Sequence, residues 1–207
     1  MPAAAMAQNR AMSHDPLAQH FATMAYNNAW ANHRLLAACA RLNPSDFAAP
    51  RAGFFPSIPA TLNHILTVDW MYVDALEREA RGEAPHPDIE EFFRPAQPFA
   101  TCAAVRKAQD AVDRRLIAYC AQLRDDSLLR SVGIRRSTGM QHETRSRLLA
   151  HMFQHQIHHR GQVHAMLSST DVDPPQLDEF FSSMDAPLRA GEFAELGFRE
   201  DAIWPAQ

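Results

Sequence analysis

His151-Met152-Phe153-Gln154-His155-Gln156-Ile157-His158-His159-Arg160-Gly161-Gln162 is the stretch on which the fold turns. Residues four apart on a helix are rotated by only about 40° and separated by about 6 Å along the axis, so His155 and His159 project from one face. Leu148, Met152, His155, His159, Gln162 and Met166 form one stripe at spacings of four, three, four, three and four, which turns this pair toward neighbouring helices. In helical bundles, metal sites are built from such inward-facing side chains on adjacent helices. The stretch therefore predicts a bundle helix carrying half of a metal site. Thr144 is its candidate N-cap, and Asp173-Pro174-Pro175 stops the pattern after about Ser168.

A pair of imidazoles alone is a weak site, and histidine-rich helix surfaces also occur without metal. A third ligand has to come from elsewhere. His64 is the best candidate, on a helical stripe with Thr61, Val68 and Met71, while His151 and His158 compete for the role. Three neutral imidazoles would leave coordination positions open to water or substrate, as in catalytic sites. Without cysteine, such a donor set suits zinc, nickel, copper or iron, and spacing does not choose among them. His20, His33, His86 and His142 have no such partners and read as solvated or packing residues. Asp69 and Asp74 read as surface carboxylates or as groups one step removed from a metal.

Outward from this helix, apolar and small residues recur at helical spacing from about Asp15 to Leu42 and stop before Asn43-Pro44. Ser57 caps a second helix, with Pro59 in its first turn, that runs to about Arg81-Gly82. Residues 82–98 carry four prolines and form a loop long enough to join parallel helices. A third helix runs from about Thr101 to Leu123. Two short extended runs around Ser137-Thr138-Gly139 read as a hairpin. The expectation is an all-α four-helix bundle with a long crossover connection and a small β-hairpin between helices three and four. The bundle occupies 16–184, after a flexible tail over 1–15. A C-terminal extension over 185–207 is expected to pack on the bundle or on a partner through Phe193, Leu196, Phe198 and Trp204.

The chain has 207 residues, 46% of them hydrophobic and 21% charged, enough for one well-filled domain. A net charge of −4 with scattered basic residues argues against a nucleic-acid surface. The longest apolar run, Ile65 to Leu76, is interrupted by Asp69 and Asp74, so no membrane span is expected. The start lacks the pattern of a secretory signal. Three widely separated cysteines, Cys39, Cys102 and Cys120, fit reduced, structural thiols in a cytoplasm. Histidine is the outlier, with 11 in all and five of them between His151 and His164.

Three segments together resemble the DinB family. They are Tyr26-Asn27-Asn28-Ala29-Trp30-Ala31-Asn32-His33-Arg34-Leu35, then Ser57-Ile58-Pro59-Ala60-Thr61-Leu62-Asn63-His64-Ile65-Leu66-Thr67-Val68-Asp69, then His155-Gln156-Ile157-His158-His159-Arg160-Gly161-Gln162. The resemblance spans about Leu17 to Met184, and the last motif is the most specific. It implies a four-helix bundle with a long crossover, frequently dimeric, and a three-histidine site for one divalent transition metal, nickel or zinc. Carried over by position, the implied ligands are His64, His155 and His159. His158 then lies beside the site, and Arg160 and Gln162 support it.

The implied activity is that of a metal-dependent hydrolase, or of a transferase using a low-molecular-weight thiol, acting on a small molecule in the cytoplasm. No general base is evident from the sequence: Asp69, Asp74 and Glu143 are the nearest carboxylates in sequence. A non-catalytic, metal-binding stress-response protein is the alternative. DNA binding is suggested by the family's name alone and is opposed by the acidic balance.

Overall fold

The computed structural model describes residues 15–204, so the expected tail over 1–15 lies, apart from Asp15, outside the described residues, as do 205–207. Seven α-helices and one two-stranded antiparallel sheet make up the described chain. Four of the helices are long. α1 (Pro16–Cys39) begins with proline, whose missing N–H is no loss in a first turn. The short α2 (Pro44–Ala48), absent from the sequence expectation, is capped by Asn43, whose side chain accepts the Asp46 N–H at 2.8 Å.

α3 (Ile58–Arg81) starts as expected, with Ser57 Oγ accepting the Ala60 N–H at 3.3 Å and Pro59 in the first turn. It ends at Gly82, whose φ of 69° is a left-handed conformation that glycine adopts without a Cβ penalty. The Glu83 N–H then reaches back to the Arg78 carbonyl at 2.9 Å. The proline-rich connection contains one 3-10 turn, Ile89–Phe93, which buries Ile89. α4 (Cys102–Cys120) is capped by Thr101. β1 (Ser131–Arg136) and β2 (Gly139–Thr144) form the expected hairpin, with Arg136 paired to Gly139 across the turn. Thr144 ends β2 and also caps α5 (Arg145–Leu167), accepting the Arg147 N–H at 3.3 Å.

The long helices pack in a ring of contacts: α1 lies against α4 and α5, and α3 also lies against α4 and α5. Leu66, Val73, Leu76, Leu116 and Leu149 fill one end of the interior, and Leu35, Ile58, Ile65, Val163 and Leu167 fill the other. The C-terminal segment folds onto α1 of the same chain. α6 (Ala186–Leu196) and α7 (Glu200–Ile203) bring Phe193, Leu196 and Ile203 together with Phe180 around Trp30, which is fully buried. Burying a side chain such as Phe180 or Phe193 contributes about 1.5–3 kcal/mol each. Arg189 is buried under this cluster, its guanidinium 5.0 Å from the Trp204 ring and paired with Glu200 at 2.9 Å.

Candidate metal centre

α3 and α5 run side by side, and their contact brings His64, His155 and His159 into one cluster. One ring nitrogen from each lies within 4.8 Å of the others. His64 Nε2 and His155 Nε2 are 2.9 Å apart, near the about 3.3 Å separation of two nitrogens each 2.0–2.1 Å from a tetrahedral ion. The ring centroids are 4.9 Å apart for His64 and His155, 4.7 Å for His64 and His159, and 4.4 Å for His155 and His159. Among the described residues, no carboxylate or thiol joins this group.

The protonation states suit ligation. Burial lowers the His64 pKa to about 4, with His159 adding to the effect. Burial and then the neighbouring imidazoles lower His155 to about 3. His159 is lowered too, again chiefly by burial. All three are neutral near pH 7, the form that binds metals. His159 Nδ1 lies 2.9 Å from Gln162 Oε1, and Gln162 Nε2 lies 2.9 Å from His158 Nε2. An amide oxygen can only accept, so His159 carries its proton on Nδ1 and leaves Nε2 free. His155 Nδ1 is buried without a protein hydrogen-bond partner.

Proton competition for metal should therefore set in lower than for ordinary histidines. Metal affinity measured by competitive titration is expected to change little from about pH 8 to about pH 6 and to fall steeply below about pH 5. A tenfold weakening already at pH 6.5 would mean that the imidazoles titrate as free ones do.

The other expected residues divide. His158 is exposed beside the cluster, 4.8 Å from the His159 ring, and holds Gln162. His151 sits against Tyr72 at 5.5 Å, with its ring 6.3 Å from His155. Asp74 pairs with Arg78 at 2.8 Å, and Glu143 with Arg147 at 3.1 Å. Of the two sequence readings of Asp69, a surface carboxylate or a group one step removed from a metal, the surface reading fails, because Asp69 is fully buried.

Asp69 belongs to a polar network that draws on all four long helices. Gln109 Nε2 donates to Asp69 Oδ2 at 2.8 Å and to Asp113 Oδ1 at 3.2 Å, and Gln156 Nε2 also donates to Asp69 Oδ2. Asn28 and Asn32 donate to Asp113 at 3.0–3.1 Å. Arg160 Nη1 donates to Asn28 Oδ1, to Asn32 Oδ1 at 3.0 Å and to Gln156 Oε1 at 3.1 Å. Burial pushes Asp69 well above the usual carboxylate range, raises Asp113 to about 6 and lowers Arg160 to about 10. The network lies one residue out of phase with the histidines: Gln156 follows His155 and Arg160 follows His159, so α5 presents ligands on one face and network on the next. Its sequence signal is three polar pairs four apart on otherwise apolar stripes, Asn28 with Asn32, Gln109 with Asp113, and Gln156 with Arg160.

The segment before α3 completes the surroundings. Phe55 lies against the cluster, its ring 4.4 Å from His64 and 5.6 Å from His159. Sequence reasoning missed this contact, because a short connection carries no periodicity to place its side chains. The chain is mostly helical, and the convergence of three imidazoles from two of its helices is compatible with metal binding. The DinB family profile matches residues 12–189, and the chain belongs to the DinB family. A search of curated proteins finds no match. Among the described residues, no helix is long and apolar enough to cross a membrane.

Proposed function

We propose that the protein is a metal-dependent enzyme whose single divalent ion, nickel or zinc, is held by His64, His155 and His159 in a four-helix bundle with a long crossover. The convergence of three neutral imidazoles carries this reading. A bound ion supplies a Lewis acid and lowers the pKa of a coordinated water or thiol. The chain's own residues prepare for this. Gln162 fixes the His159 tautomer, Phe55 packs against the His64 and His159 rings, and burial keeps the imidazoles unprotonated. With no carboxylate in the cluster among the described residues to act as base, a reactant that binds as its own anion fits best, either hydroxide from a coordinated water or a low-molecular-weight thiolate, so the reading covers both hydrolysis and thiol-dependent transfer. The substrate is a small molecule in this reading, the working form a homodimer and the location the cytoplasm, where Cys39, Cys102 and Cys120 stay reduced. All three are free thiols in the fold.

A structural metal is the competing reading, and chelation separates the two. The helices are held by apolar clusters that do not include the histidines. Purified protein is expected to carry one equivalent of metal by elemental analysis. After removal by chelator, its far-UV circular dichroism should be nearly unchanged and its unfolding still cooperative. Loss of helicity on chelation would assign the ion to folding instead.

A further inference from the structure

Residues 51–56 form a closed loop next to the cluster. The Arg51 N–H donates to the Pro56 carbonyl at 2.8 Å, and the Arg51 guanidinium ties the loop to Ser169 Oγ at 3.0 Å and to the Asp46 carbonyl at 2.7 Å. Gly53 sits so close to α5 that a Cβ there would come within 2.5 Å of the Met166 terminal methyl. The loop is thus fastened at its neck and laid against the helix that carries His155 and His159. At its tip Phe54 is 79% exposed, although its ring is 6.4 Å from His159 and meets Phe55 edge-on at 5.0 Å. Phe55 lies over the imidazoles, while Phe54 stands beside it with most of its surface in water. Single exposed apolar side chains are ordinary on a protein surface, so it is the position of Phe54, on a fastened loop with its ring beside His159, that sets it apart from the others.

We propose that Phe54 is a specificity-determining residue: its ring receives the apolar, preferably aromatic, end of a small ligand whose other end coordinates the metal. The proposal rests on the metal site proposed above and concerns the ligand's non-coordinating end. Such contacts between rings, 4.5–7 Å apart by centroid, select ligands by shape without touching the coordination bond.

The test uses full-length protein loaded with cobalt(II), whose visible spectrum reports coordination. Acetohydroxamate and benzohydroxamate share a chelating group and differ by one ring. Wild-type protein should bind benzohydroxamate about three- to tenfold more tightly than acetohydroxamate, the strength of one aromatic contact. In Phe54→Ala that preference should vanish while acetohydroxamate affinity and cobalt(II) affinity stay unchanged. Phe54→Leu should keep part of it. Equal affinities in the wild type, or a preference that survives in Phe54→Ala, overturn the proposal. A variant that changes only the oligomeric state in sedimentation, with the preference intact, also overturns it and makes Phe54 a subunit contact. Failure of wild-type protein to bind cobalt(II) would instead bring down the metal site itself.

Discussion

Elemental analysis of His64→Ala and His159→Ala is expected to return far less than one equivalent of metal, against one in the wild type. Each substitution leaves two imidazoles, and two neutral ligands without a carboxylate form a weak site. The loss should exceed the roughly 10–100-fold that removal of an outer hydrogen-bonding partner costs a metal site. His151→Ala and His158→Ala are the matched controls. The His151 ring packs against Tyr72 and His158 serves Gln162, so both variants should keep their metal. The melting temperature of metal-free His64→Ala should stay within a few degrees of metal-free wild type, because His64 is only partly buried and lies outside the apolar clusters. Full metal retention in both His64→Ala and His159→Ala would refute the three-histidine site.

Arg160→Leu is expected to destabilise the protein by about 3–5 kcal/mol, the usual result of removing one partner from a buried charged network. For a chain of this length that corresponds to a fall in Tm of roughly 10 °C. Arg160 is 5% exposed and supplies a donor to each of three buried carbonyl oxygens, on Asn28, Asn32 and Gln156. It is also the cation that opposes Asp69 and Asp113. Without it, both the carbonyl oxygens and the carboxylates lose their compensation.

The deficit should depend on pH, and its sign follows from Asp113. Burial raises its folded pKa to about 6, above that of the unfolded chain, so the folded state holds the proton more tightly. Protonation therefore stabilises the fold, and without the Arg160 charge Asp113 is raised further. The deficit should be largest above about pH 6 and shrink as the pH falls toward the ordinary carboxylate range. The metal-free wild type carries an opposite contribution from His64 and His155. Their lowered pKa values give stability that is present above about pH 6.5 and lost as the pH falls toward 4 and 3. The comparison must be variant against wild type at each pH, by chemical denaturation. A deficit under about 1 kcal/mol at pH 7 would show that the network tolerates loss of its cation.

Much of this arrangement was legible along the chain because it follows from local rules. A 3.6-residue period with caps at Ser57 and Thr144 places α3 and α5, the period alone places α4 from about Thr101, and Gly82 ends α3. A hairpin needs only two short runs and a turn. The i, i+4 spacing of His155 and His159 puts them on one face wherever α5 packs. By contrast, α2 is a five-residue helix set by one asparagine cap, too short to show a period. The sequence left Asp69 open between a surface group and one a step removed from a metal, because a carboxylate is ordinarily exposed and its burial depends on Gln109 of α4 and Gln156 of α5 arriving as donors.

The sequence by itself determined the four long helices, the hairpin and the facing pair of histidines, since each depends on residues within a few turns of one another. Periodicity left the third histidine among His64, His151 and His158, the family resemblance pointed to His64, and the tertiary structure brought His64 into the cluster. It also decided that the C-terminal segment covers Trp30 of its own chain, and that Phe55 and Phe54 border the site. Those outcomes depend on which helices become neighbours and in what rotation. That choice is made by close packing across sequence separations such as the 91 residues between His64 and His155, where no local period reaches.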